Sequence, residues 1–132
     1  MSSTIDLTRG LGKTLLVWSV ASFIFGIITF FIPNSLIQGI GLQAILWGII
    51  DGIIAGFALL NQKDDSAEKF ARILKINVGL DVVYQIVGVL LILFAGADLY
   101  MTGNGIGVII QGAFLFILDF FYWTRMKQLI LQ

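Results

Sequence analysis

Cysteine and histidine are both absent from this 132-residue chain, proline occurs once, and only 12% of the residues are charged. Without Cys there is no disulfide, no thiol nucleophile and no thiolate metal site. Without His the usual general base and the usual haem and zinc ligand are also gone. No nucleophile–base pair can be assembled around Ser19 or Ser22, so no enzyme, cofactor or metal site is expected. Nucleic acid is not an expected partner either.

What is present is apolar: 58% of the residues are hydrophobic and the mean hydropathy is +0.99. A helix crossing the hydrocarbon layer needs about 20 predominantly apolar residues. Four segments qualify, 14–33, 39–60, 76–97 and 105–123. Their runs are long and continuous, whereas lipid-facing β-strands alternate over about ten residues. The expected fold is therefore all-α: a polytopic membrane protein whose single domain, 1–132, is a four-transmembrane-helix bundle. The first apolar run is too long for a cleavable signal, and it is read as a span.

Lys and Arg near short loops stay on the cytoplasmic side of a membrane, and all 8 lie at one end of this threading. Arg9 and Lys13 precede the first span, Lys63, Lys69, Arg72 and Lys75 separate the second from the third, and Arg125 and Lys127 follow the fourth. The segments "NSLIQ" and "DLYMTGNG" carry none. The expected location is the cytoplasmic (inner) membrane, multi-pass, with both termini cytoplasmic and one fixed orientation.

An internal repeat is visible in weak form. Gln43 precedes Asp51 and Gln111 precedes Asp119 by the same interval, while Lys13 with Lys75 and Gly26 with Gly88 match at a slightly different offset. Two duplicated helical hairpins are expected, related by an axis along the membrane normal.

The polar residues inside these runs are the candidate functional groups. At 100° per residue, Asn77, Asp81, Tyr84, Gln85 and Gly88 form one stripe on the third helix. Gln111, Asp119 and Tyr122 share a face of the fourth, Ser22, Gly26 and Thr29 of the first, and the second offers Gln43 and Asp51. An ionised Asp at the bilayer centre costs about 2.5–3.5 kcal/mol on insertion scales, so these faces are expected to converge inside the bundle. Counting from the flanking cations puts Asp81 and Asp119 roughly 9 Å inside the boundary at 1.5 Å per residue. Lys13, Lys75 and Arg125 are the candidate counter-charges. The depth of Asp51 is ambiguous, because counting from Asn61 and matching it to Asp119 give different levels.

Gly48, Gly52 and Gly56 recur every fourth residue, a spacing that allows close helix contact either within the bundle or with a partner. Gly26 and Gly88 are further packing positions. Asp65 and Glu68 read as a capping box opening the third helix, and "GNGIG" at 103–107 reads as a flexible turn. Tyr100, Tyr122 and Trp123 read as interfacial anchors, and neither periodicity nor spacing orients Trp18 or Trp47.

Through "NVGLDVVYQIVGVLL" and "GNGIGVIIQGAFLFILDFFYW" the chain resembles a family of small prokaryotic four-helix integral membrane proteins classed as a domain of unknown function. Asn77, Gly79, Leu80, Asp81, Tyr84, Gly107, Gln111, Gly112 and Asp119 carry the resemblance, which implies four spans and no particular activity.

Three functional expectations follow. The first is a non-enzymatic small membrane protein, a homo-oligomer or accessory subunit of a larger membrane complex, with a buried Asp/Asn/Gln network holding its helices in register. The second is a cation- or proton-coupled transporter or channel using the intramembrane aspartates. The third is a lipid- or quinone-binding protein.

Overall fold

The computed structural model describes residues 3–60 and 66–131. Four helices follow one another: α1 (Thr4–Phe30), α2 (Ser35–Leu60), α3 (Ala67–Ala95) and α4 (Leu99–Ile130). All four are long and apolar enough to cross a membrane, and they form an all-helical bundle. The helices run 27, 26, 29 and 32 residues. The apolar runs 39–60 and 105–123 lie within α2 and α4, whereas 14–33 and 76–97 begin inside α1 and α3 and pass their ends at Phe30 and Ala95.

Short polar residues set where the helices begin. Ser3 and Asp6 form a reciprocal capping box at the start of α1. Asn34, just after the single Pro33, accepts from the Ile37 amide at 3.1 Å and opens α2. Ser66 accepts from the Lys69 amide at 3.2 Å, and Asp98 from the Met101 amide at 3.1 Å. Each side chain satisfies one of the donors that a helix N-terminus leaves free. The cap of α3 is thus Ser66, whereas Asp65 of the expected capping box lies outside the described residues, as does Lys63. α3 stops at Gly96, whose φ of 58° is a left-handed conformation that glycine adopts without steric cost.

The tight links 31–34 and 96–98 make two antiparallel hairpins, α1–α2 and α3–α4. Contact within each hairpin is extensive, α2 lies against α4, and α1 touches α4 more lightly. Both described termini and the ends flanking 61–65 therefore share one end of the bundle. The opposite end carries the two short links.

Glycine makes these interfaces close. A Cβ on Gly26 would lie 2.6 Å from the Gly41 carbonyl oxygen, and one on Gly88 would lie 2.8 Å from that of Gly105. Gly48 sits with the same intimacy against Ser19 and Phe23, and Gly52 meets the Ser19 hydroxyl. Gly48 and Gly52 thus pack inside their own hairpin. A Cβ on Gly56 would meet nothing within 4 Å among the described residues.

The "GNGIG" segment departs from its expected turn: residues 103–107 are helical and belong to α4. Gly103 and Gly107 press on α2 at Leu36 and Gln43, while Gly105 presses on α3 at Gly88. Two residues are 200° of helix, so alternate glycines serve opposite neighbours. They wedge α4 between α2 and α3.

Candidate functional site

In the half of the bundle nearer the described termini, side chains of all four helices line a small pocket. α2 contributes Trp47 and Asp51 at i, i+4; α3 contributes Asn77, Asp81 and Tyr84 at i, i+4, i+7; α4 contributes Leu115 and Asp119 at i, i+4. Those intervals put each set on one helix face. Leu11 and Leu15 of α1 close the back of a cavity of about 150 Å³.

The three carboxyl groups meet there, and Asp51 lies level with the other two. Asp51 is 1% exposed, Asp81 2% and Asp119 8%. The carboxyl groups of Asp81 and Asp119 line the same wall of this pocket, from α3 and α4. One oxygen of Asp51 and one of Asp81 are buried with no hydrogen-bond donor among the described residues.

The expected counter-charges are elsewhere. Lys13, Lys75 and Arg125 are exposed, and among the described residues none forms an ion pair with these aspartates. Arg125 instead lies over the Phe121 ring at 5.1 Å, and Lys127 over Trp123 at 4.1 Å. Among the described residues no basic side chain lines the pocket.

The amides do not join the carboxyl groups either, apart from Asn77. Gln43 donates to the Asn104 side chain at 2.8 Å and accepts from the Trp47 indole at 3.2 Å. Gln85 donates to the Ile109 carbonyl at 2.9 Å. Gln111 accepts from the Trp18 indole at 2.8 Å and donates to Ser22 at 3.3 Å. The single network expected from the sequence is thus divided into a carboxyl pocket and separate amide locks.

The lock around Gln111 borders a second, larger cavity of about 460 Å³ between α1, α2 and α4, with Trp18, Phe25, Ile40 and Ala44 among its apolar walls. Trp18 stacks on Phe114 with centroids 3.8 Å apart.

Trp47 is the site residue that the sequence left unassigned. It meets Tyr84 edge to face at 4.9 Å, bridging α2 and α3 beside the carboxyl groups. Its position one turn before Asp51 was the available signal.

Fold and site together define a bundle of four membrane-length helices surrounding a compact carboxyl pocket with aromatic walls. The chain belongs to a family of unknown function (DUF6992), whose model matches residues 14–120. No curated protein and no solved structure is similar enough to match it.

Proposed function

We propose that this is a multi-pass membrane protein that takes up a proton or a monovalent cation at Asp51, Asp81 and Asp119 and couples that binding to transport. The observation that carries the reading is the pair of donor-free oxygens on Asp51 and Asp81, buried together without a basic neighbour. Buried charge is retained only when it is compensated, and in an apolar helix bundle intramembrane acids commonly mark ion pathways. A purely structural network is the weaker reading, because its locks are the Gln43, Gln85 and Gln111 contacts, which leave the acids unused.

The membrane assignment rests on the length and composition of the helices and on their outward residues. Val17, Phe57, Leu93 and Ile117 are 64–70% exposed. The inner membrane, with termini and basic residues cytoplasmic, is the location that the charge distribution supports. Four spans leave little room for a pathway within one copy, so the transporting unit is a homo-oligomer.

Duplication of the hairpins is part of this reading. Gly26 with Gly41 and Gly88 with Gly105 make reciprocal contacts, and Gly48 lies on Ser19 as Gly112 lies on Asp81. These pairs relate α1 to α3 by the offset of Gly26 to Gly88, but they align Gly41 with Gly105 and hence Gln43 with Gly107. The Gln43–Gln111 match is out of register by one helical turn.

Reconstituted in liposomes, the chain should dissipate an imposed proton or sodium gradient, and Asp119→Asn should abolish this flux while leaving the protein folded. Absence of flux from the wild type under either gradient would overturn coupled transport.

A further inference from the structure

The carboxyl pocket has a shape that a bare proton does not require. Its volume of about 150 Å³ is the liquid share of about five water molecules, below the roughly 300–1,000 Å³ of sites that engulf a drug-sized ligand. It suits a headgroup, with the rest of the molecule left outside. The rim provides for that: Ile50 and Ile54 of α2 and Leu80 of α3 line the pocket yet are 45%, 52% and 45% exposed. The opening faces sideways, between α2 and α3.

The lining sets the charge and polarity of the head. Three acids and no base call for a cation. Hard metal ions take six or more oxygen ligands, whereas here leucines and aromatic rings occupy much of the wall. Among the described residues no group of three His, Cys, Asp or Glu side chains is placed to hold a metal ion. Trp47 and Tyr84, their planes inclined at 64°, form an aromatic corner beside the acids. Aromatic rings combined with carboxylates recognise alkylated ammonium groups, which are positive and partly apolar.

We propose that the pocket binds the headgroup of an organic ammonium ion, a protonated or quaternary amine with an apolar body, admitted laterally between α2 and α3. This rests on the reading of the three aspartates as a cation site. The donor-free oxygens of Asp51 and Asp81 receive the charge, Trp47 and Tyr84 embrace the alkyl groups, and the body stays against Ile50, Ile54 and Leu80.

The test uses the full chain in lipid nanodiscs, with decyltrimethylammonium as probe and the Trp47 indole N–H resonance, assigned through Trp47→Phe, as reporter. Saturable movement of that resonance is expected, with the Trp18 indole unmoved. Asp51→Asn and Tyr84→Leu should each weaken binding about tenfold, as loss of a desolvated cation contact implies; Asp81→Asn serves if either variant fails to fold. Decanol, with the same tail and no charge, should give no saturable response. An equal response to decanol, or none to the ammonium, overturns the proposal. Gradient-driven flux persisting in that case would leave the proton or sodium reading standing, whereas its loss as well would remove both.

Discussion

One Asp51 oxygen is buried without a donor, and an unmet buried acceptor costs about 1–3 kcal/mol. Asparagine has the same shape without the charge. Asp51→Asn should therefore melt at or above the wild-type temperature in mild detergent, although ligand binding is weakened. A fall of several degrees would mean that the carboxylate holds the bundle together. The i, i+4, i+7 spacing of Asn77, Asp81 and Tyr84 made their shared face legible in the sequence. Pairing with Lys13, Lys75 or Arg125 was not legible, because equal depth says nothing about direction. Long basic stems reach outward as readily as inward, and Arg125 has an aromatic face available on its own helix at Phe121. Gln85 and Gln111 share a helix face with an acid, and Gln43 lies on the same helix as Asp51, which suggests one network with the acids. The glutamines' actual partners, among them the Trp18 indole and the Ile109 carbonyl, are set by helix rotation and depth, which spacing along one helix does not supply.

Between helices, glycine contacts separate positions that the sequence treats alike. A Cβ at Gly26 would meet backbone on α2, the Gly41 oxygen at 2.6 Å and the Ile45 nitrogen at 2.7 Å, and backbone cannot rotate aside as a side chain can. Gly26→Ala should force the α1–α2 pair apart and destabilise it by about 1–3 kcal/mol. Gly56→Ala meets open space and should gain about 0.5–1 kcal/mol from helix propensity. Thermal melts of the two variants check both signs. A loss of oligomer in Gly56→Ala would instead place that face against a second copy. Helix existence was readable from the apolar runs, but "GNGIG" was misread because closely spaced glycines punctuate soluble chains. In a bundle of closely packed apolar helices the same residues are contact points, and only the facing Gly88, Leu36 and Gln43 reveal it.

The arrangement of the whole molecule follows from two tight links and one sided charge. Short links force neighbouring helices antiparallel, so the described basic residues Arg9, Lys13, Lys69, Arg72, Lys75, Arg125 and Lys127 gather at the end nearer the carboxyl pocket. The four-helix bundle was legible because hydropathy is summed over about 20 residues and tolerates local error. The packing of the hairpins, which leaves one cavity lined by all four helices and another between α1, α2 and α4, was not, because it depends on interfacial volumes. If the proposed orientation holds, the acids lie nearer the cytoplasmic face, and a cation bound there exits or enters from that side. The absence of native cysteine makes the orientation directly measurable with single-cysteine variants at exposed positions. Asn34→Cys, in the link between α1 and α2, should react with a membrane-impermeant maleimide in intact cells. Ser3→Cys and Gln128→Cys, at the opposite end, should react only in inverted vesicles. Reversal of that pattern would put the carboxyl pocket near the outer face and turn the direction of coupling around, while labelling of all three from one side would remove the four-span threading itself.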